Sequence, residues 1–170
     1  MSLMETRAWK KLTVVGDEKA KGDKMKVVIN TQDEAYFNLS KKAIRAYLKR
    51  KGKKCYFYGG DPEKMRKGKM VIVRYSDDDP SHYAMVYTKD YGDSPKIDDF
   101  KEEDSFSYFN IERNDPDLVA VVEELGKDAD VSDWDDDTKL KIVDIPDDVK
   151  WYIAEWNGVE TVEETHRSWS

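Results

Sequence analysis

Short runs of apolar and β-branched residues recur along this chain, separated by polar and turn-forming residues. Runs of this kind predict β-strands. The predicted strands are KMKVVIN (24–30), KCYFY (54–58), MVIVRY (70–75), YAMVYT (83–88), SYFNI (107–111) and KLKIVDI (139–145). Because only a turn of Asp, Ser and Pro separates 70–75 from 83–88, we expect these two strands to form an antiparallel pair.

Two segments have the residue spacing of amphipathic helices. In the first, Ser40 is a suitable N-cap and Gly52 can end the helix. In the second, Asp115 is the N-cap, with a proline in the first turn, and Gly126 is the stop signal. The apolar stripes of the two helices are formed by Ile44, Tyr47 and Leu48, and by Leu118, Val121, Val122 and Leu125.

The dipeptide Asn157-Gly158 separates two further strand-like runs, WYIAEW (151–156) and VETVEE (159–164). Asn-Gly is a preferred sequence of the type I′ turn, so it predicts a C-terminal β-hairpin. A second turn is expected at residues 59–62, where the sequence is Gly-Gly-Asp-Pro. The strand–helix–strand order near the start of the chain also permits one right-handed crossover.

Together these elements predict an α+β fold: a largely antiparallel sheet of about six to seven strands, with two helices and the Asn-Gly hairpin. We divide the chain into a poorly determined lead-in (1–24), with one short strand at 12–15, and a single α+β domain (25–170). A length of 170 residues fits one domain. Five Trp, ten Tyr and five Phe supply the aromatic surface of a core.

The chain has no apolar run of the roughly 18–20 residues that cross a bilayer, and its first residues lack the pattern of a secretory signal. We therefore expect a cytoplasmic protein without membrane partners. The single cysteine, Cys55, excludes an internal disulfide. It begins an aromatic strand and is predicted to be a small buried hydrophobic residue, the alternative being a nucleophile paired with His166.

Charge is divided unevenly along the sequence, whose net charge is −7. Residues 1–75 contain 20 Lys and Arg against 8 Asp and Glu, whereas residues 76–170 contain 9 against 28. An acidic surface repels nucleic acid and attracts basic protein surfaces, so no direct DNA binding is expected. The candidate protein-binding acidic face consists of Asp133, Asp135, Asp136, Asp137, Asp147 and Asp148.

Alternating acids at Asp133, Asp135 and Asp137, with Asp144 in the twelfth position, are similar to an EF-hand loop. Thr138 stands where the sharp turn of that loop requires glycine, and a strand follows where a helix should. The pattern therefore favours an acidic solvated loop over a calcium site. Two histidines are too few for a typical multi-histidine metal site, and we predict no metal, no cofactor and no catalytic residue.

Two basic clusters are candidates for binding an anionic nucleotide. One is Lys41, Lys42 and Arg45 on the first helix, with an aromatic side chain nearby for stacking. The other is His166, Arg167 and Trp169, which could bind an anion or stack on a base. For this second cluster the alternative is a chain end whose tryptophan packs on the core.

The same charge division predicts a homodimer in which the basic half of one copy meets the acidic half of another. The hairpin 151–164 is the candidate contact element, since a terminal hairpin leaves an edge strand available. The apolar centre of the contact would come from Trp151, Trp156 and Trp169. Against unprotected edge pairing stand the acids of the hairpin, namely Glu155, Glu160, Glu163 and Glu164.

Several phrases resemble a family of small proteins carried by bacteriophages and prophages. They are KMKVVIN (24–30), LSKKAIRAYLKRKG (39–52), IERNDPDLVAVVEELG (111–126), LKIVDIPDDVKWYIAEWNG (140–158) and ETHRSW (164–169). In that family a glycine-rich Tyr-Gly-Gly-Phe-Gly-like stretch lies between the first strand and helix. Here DEAYFN (33–38) takes its place, and Asp33 and Glu34 oppose an anion there.

The resemblance implies a phage accessory protein that counters a host defence by binding rather than by catalysis. Combined with the charge pattern, it predicts an acidic half that engages a basic surface of a host protein, such as a CRISPR or other nucleic-acid-handling effector. The alternative is a protein that binds and sequesters a nucleotide or cyclic-nucleotide signal. A third possibility is a small enzyme that acts on such a signal.

Overall fold

The structure, a computed structural model, describes residues 24–77, 79, 84–132 and 137–165. Most of the predicted lead-in, including the short strand at 12–15, lies outside the described residues. The strands are β1 (Lys24–Asn30), β2 (Tyr56–Gly60), β3 (Ile72–Tyr75), β4 (Met85–Tyr87), β5 (Ser105–Phe106), β6 (Leu140–Pro146), β7 (Trp151–Trp156) and β8 (Val159–Glu164). The helices are α1 (Lys41–Arg50), α2 (Pro62–Arg66) and α3 (Pro116–Leu125).

The described strands pair antiparallel, which confirms the α+β class, but they form three small sheets rather than one. Their orders are β1-β6, β3-β2-β4-β5 and β7-β8. The crossover that the sequence permitted is absent from the described sheets, because β1 pairs antiparallel with β6 and β2 belongs to a different sheet. Helices α1 and α3 pack against each other, and α3 also packs on β1 and β6.

The predicted pairing of 70–75 with 83–88 is wrong, because β2 lies between β3 and β4. Phe57 is opposite Tyr75 on one side and opposite Val86 on the other. Phe57 and Tyr58 are almost completely buried, so β2 needs a neighbour along both edges and takes the central position. Proximity in sequence predicted the wrong partner because burial decided the strand order.

The predicted turn at residues 59–62 is also displaced. Gly59 and Gly60 continue β2, and the chain turns only at Asp61, whose carboxylate caps the short helix α2. A side chain at Gly59 would overlap the ring of Tyr75, and one at Gly60 would overlap the sulfur of Met65. The two glycines therefore provide space for close packing rather than a turn.

The strand predicted at 107–111 is replaced by other structure. Only Ser105–Phe106 pair as β5, and Tyr108–Asn110 form one turn of 3₁₀ helix. Phe109 in that turn is 69 % exposed, so the run does not alternate between a buried and an exposed face. A second departure is α2, a helix that the sequence did not predict.

Both predicted long helices are confirmed, together with their capping residues. The Ser40 side chain accepts a hydrogen bond of 3.1 Å from the Ala43 amide, and Asp115 accepts one of 2.8 Å from the Asp117 amide. Gly126 ends α3 with φ of +54°, a conformation that favours glycine. The apolar stripes meet in the core, where Leu48 and Leu118 are almost fully buried.

The basic and acidic halves of the sequence interleave around α1 and α3. The basic partners are Lys26, Lys42, Arg45, Arg50 and Lys51, and their acidic partners are respectively Glu123, Asp128, Asp77, Glu124 and Asp115. Each of these pairs joins the first half of the sequence to the second. The sequence dipole is therefore partly cancelled within the fold, and Lys42, Arg45 and Arg50 of α1 are not a free basic surface.

Candidate functional site

The C-terminal hairpin is confirmed, and its turn has the conformation that Asn-Gly favours. Asn157 and Gly158 have φ values of +52° and +88°, as a type I′ turn requires at both central residues. Cross-strand partners in the hairpin lie on the same face. The outer face thus carries the pairs Tyr152–Glu163, Ala154–Thr161 and Trp156–Val159, and the opposite face carries Ile153–Val162 and Glu155–Glu160.

A buried ion pair attaches the hairpin to the rest of the domain. Glu160 is 7 % exposed and accepts two hydrogen bonds from the Arg113 guanidinium, at 2.9 and 2.8 Å. The same carboxylate accepts a third hydrogen bond, of 2.7 Å, from the Asn30 amide at the end of β1. Glu160, predicted to protect an edge of the hairpin, is instead an internal anchor whose carboxylate oxygens have hydrogen-bond partners.

The Asn30 side chain connects four parts of the chain at the same place. Its amide nitrogen donates to the carbonyl oxygens of Ala35 at 2.6 Å and Gly158 at 3.0 Å. Its oxygen accepts from the Lys139 amide at 3.0 Å, next to the start of β6. Because Asn30 is completely buried, these bonds satisfy polar groups that water does not reach.

The hairpin turn rests on the segment DEAYFN (33–38). The Glu34 amide donates to the carbonyl of Asn157 at 2.8 Å, and the Asn157 side chain donates to Asp33, also at 2.8 Å. Gly158 lies so close to Ala35 that any β-carbon there would overlap its backbone. Residues 33–38 therefore support the hairpin turn through hydrogen bonds and close packing.

The outer face of the hairpin is not covered by any described part of the chain. Trp156 is 80 % exposed, and Tyr152 is also exposed. A recess of about 410 Å³ follows this face. Its lining consists of Ala154, Trp156, Val159, Thr161 and Glu163 of the outer face, together with Asp33 and with Glu155 of the opposite face. The lining contains three carboxylates and, among the described residues, no basic side chain. We call the surface formed by the pairs Tyr152–Glu163, Ala154–Thr161 and Trp156–Val159 the outer hairpin face; Asp33 and Glu155 border it.

The chemistry of the outer hairpin face suits a cation with an apolar or planar stem. A guanidinium can stack on an exposed indole ring while carboxylates beside the ring accept its N–H groups. The Tyr152 hydroxyl donates to Glu163 at 2.7 Å, which fixes that carboxylate on the face. This hydrogen bond, together with the negative charge of Glu163, raises the pKa of Tyr152.

The residues predicted for the acidic face fall into two groups. Asp133, Asp135 and Asp136 lie outside the described residues. Asp137, Asp147 and Asp148 are exposed, and the last two occupy the turn that leads from β6 into β7. That turn places acidic charge at the end of the hairpin opposite Asn157-Gly158.

The predicted ligand residues of α1 lie together, but acids accompany them. Lys41 is half-buried, with its amine 2.8 Å from the Asp79 carbonyl oxygen and 5.6 Å from the centre of the Phe57 ring. Burial lowers the pKa of Lys41. Arg45 forms an ion pair with Asp77 and also lies over Phe57. The second predicted cluster, His166, Arg167 and Trp169, lies outside the described residues.

A pocket of about 320 Å³ opens at the start of α1. Its lining includes Ser40, Lys41, Lys42, Phe57 and Tyr108. The acids Asp77, Asp79 and Asp130 line it as well, so its charge is mixed. A phosphate group in this pocket would compete with these carboxylates for both lysines.

Cys55 is 7 % exposed, which confirms its predicted place in the core. Burial raises the pKa of its thiol to about 11, so the reactive thiolate is scarce at neutral pH. Within the described part of the chain, no group of three or more His, Cys, Asp or Glu side chains could hold a metal ion. No helix in the same residues is long and apolar enough to cross a membrane.

Trp156 is predicted from the sequence as a dimer contact, whereas Tyr152, Asn30 and Arg113 are not predicted as functional or anchoring residues. One signal was available: the alternation in WYIAEW places Tyr152, Ala154 and Trp156 on one face of a strand. No local signal marked Arg113, because its partner Glu160 lies 47 positions away. Comparison with family models, curated proteins and solved structures gave no match to this chain.

Proposed function

We propose that this chain is a non-catalytic phage-type accessory protein that acts in the host cytoplasm and counters a host defence by binding. Its acidic surface engages a basic surface of a host protein, such as a CRISPR or other nucleic-acid-handling effector. The resemblance to phage proteins supplies the biological context of the proposal. The exposed, acid-flanked tryptophan of the outer hairpin face is the observation that carries it.

Trp156 supports a binding role because such exposure is costly for a large apolar ring. The outer hairpin face places Trp156, Tyr152 and Val159 on one side of a two-stranded sheet. Tryptophan, tyrosine and arginine are the residues most enriched at the centres of protein interfaces. The hairpin is also held firmly from behind by the Arg113–Glu160 pair, so the face is presented in a fixed orientation.

The charges around this face select a basic partner. Asp33, Glu155 and Glu163 border the recess, and further exposed acids lie in the turn at Asp147 and Asp148. Clustered acids accelerate encounter with a basic surface and disfavour acidic competitors. Arginine fits better than lysine, because its planar guanidinium can stack on the indole and pair with a carboxylate at once.

Replacing Trp156 by Ser is expected to weaken partner binding by about 30-fold or more, since truncation of a central tryptophan typically costs about 2 kcal/mol or more. The side chain is exposed, so the free energy of unfolding should change little. The test is capture from host lysate on immobilised wild type and variant, with the bound proteins identified and quantified by mass spectrometry.

The matched control is Phe109→Ser, which removes another highly exposed aromatic ring away from the hairpin. Proteins that the wild type and Phe109→Ser retain, and that Trp156→Ser loses, support the proposal. Their retention should fall between about 0.1 M and 1 M salt, as the screening length shortens from about 10 to 3 Å. Equal capture of host proteins by the wild type and both variants would contradict the proposal that the outer hairpin face binds the host protein.

The second candidate function is binding of an anionic nucleotide, and the pocket at the start of α1 favours it. That pocket holds Lys41 and Lys42 together with the aromatic rings of Phe57 and Tyr108. A nucleotide at 100 times its dissociation constant would stabilise the fold by about 2.7 kcal/mol, which thermal unfolding detects. Thermal stabilisation by a nucleotide that is lost in Lys41→Met would favour this function. Recovery of the nucleotide in a chemically altered form would instead indicate a small enzyme that acts on it.

A further inference from the structure

A second exposed surface lies on the segment between β2 and β3. Residues 62–70 are all exposed and form α2 and the turn after it. The segment is nevertheless anchored: Asp61 caps α2, and the Asp61 amide donates to the Val71 carbonyl at 2.7 Å. The Met65 sulfur packs against Gly60. We call residues 62–70 the basic arm.

The basic arm differs from α1 in the state of its cations. It carries Lys64, Arg66, Lys67 and Lys69 and a single acid, Glu63. In the part of the chain that the structure describes, none of these four cations forms an ion pair, whereas Lys42, Arg45 and Arg50 of α1 pair with acids of the second half. The arm therefore places four cations without an ion pair to a described residue, against one acid, within residues 63–69 of the chain.

Apolar side chains accompany these cations. Met70 is 76 % exposed, and Met65 and Ile97 are also exposed. A recess of about 490 Å³ lies beside Met70 and Ile97, with Pro95 and Lys96 in its lining. An apolar centre with a charged rim is the usual composition of a protein interface.

We propose that the basic arm of one copy docks on the outer hairpin face of a second copy. The arm is cationic with exposed methionines, and the face is anionic with exposed Trp156 and Tyr152. Methionine sulfur packs favourably against aromatic rings, which gives the apolar parts of the two surfaces a specific fit. A nucleic-acid backbone would match the charge of the arm but offers nothing to its methionines.

The inference rests on the proposed function, because the arm occupies the face that takes the host protein. Self-association then competes with partner binding, and the free face becomes available as the protein is diluted. The contact joins two different surfaces. Two copies therefore form a closed dimer only if a twofold rotation places the arm of each copy on the outer hairpin face of the other. The homodimer predicted from the sequence thus acquires defined contact elements.

Charge reversal tests the contact. Reversing the arm with Lys64→Glu, Lys67→Glu and Lys69→Glu, or the face and its border with Glu155→Lys, Thr161→Lys and Glu163→Lys, is expected to weaken self-association by about tenfold or more. All six substituted side chains are exposed, so the variants should fold. Combining both reversals in one chain restores opposite charges on the two surfaces and is expected to restore association.

The measurement is the average mass by light scattering and sedimentation at about 0.1 M and 1 M salt. A monomer at both salt concentrations, or failure of the combined variant to recover, would overturn the proposal. Arm-dependent binding to heparin by a protein that stays monomeric would also overturn it and assign the arm to an anionic polymer. Capture of host proteins that needs Trp156 but not the arm separates the two proposals, because it leaves the proposed function intact.

Discussion

Replacing Arg113 by Met is expected to destabilise the fold by about 3–5 kcal/mol, because the substitution leaves the buried Glu160 carboxylate without its countercharge. The two side chains share two hydrogen bonds, and the Arg113 guanidinium also stacks on Phe37 at 3.2 Å from the ring centre. Urea unfolding measures the loss.

The matched control is Lys42→Met, which breaks an ion pair with Asp128 that is largely exposed on both sides. An exposed pair contributes about 1 kcal/mol or less, so this variant should unfold almost as the wild type does. If Arg113→Met and Lys42→Met proved equally mild, the buried pair would not be the anchor of the hairpin.

Replacing Gly158 by Ala is expected to cost about 3 kcal/mol, from a strained backbone and an overlap with Ala35 together. Gly158 has φ of +88°, and a β-carbon there has no room beside the Ala35 backbone. The hairpin turn would have to move away from residues 34 and 35. Amide exchange at Glu34, whose N–H donates to Asn157, should therefore accelerate along with the loss of stability.

Gly92→Ala separates the two causes. Gly92 has φ of +84°, but no atom lies near the position of its missing β-carbon. This variant keeps the backbone strain, about 1–2 kcal/mol, and lacks the overlap. Equal destabilisation by the two substitutions would mean that the contact of Gly158 with Ala35 adds nothing.

Local signals predicted the parts of the fold that short segments determine. Ser40 and Asp115 cap their helices as expected, and Asn157-Gly158 makes the expected turn. In each case the residues that fix the conformation lie within one turn of it. The outer hairpin face was equally predictable from the sequence, because the alternation of side chains along a strand places Tyr152 and Trp156 on one side.

Pairing over long distances could not be predicted in the same way. The partner of β1 is β6, which lies more than 100 positions later in the chain. No feature of either strand sequence identifies the other strand as its partner. Glu160 belongs to an acidic run whose sequence predicts an exposed strand. Its carboxylate is buried because Arg113 and Asn30, from two other parts of the chain, donate hydrogen bonds to it. The anchor of the site is thus a product of the tertiary fold.

The charge division illustrates the same limit. Composition along the chain suggested that the two halves could form opposite faces. The fold instead pairs the cations of α1 with acids of the second half, as at Arg50 and Glu124, and leaves cations on the basic arm and acids on the outer hairpin face. The proposed contacts therefore involve these two surfaces rather than the two halves of the sequence.

Whether the outer hairpin face binds basic protein surfaces is tested by mapping where an arginine-rich peptide binds, from backbone and indole NMR shifts of the labelled protein. We expect the largest shifts on Tyr152, Ala154, Trp156 and Thr161, and weaker binding of a lysine-rich peptide of equal charge. Shifts confined to the other acidic segments, 98–104 or 133–137, with the Trp156 indole unchanged, would contradict this expectation.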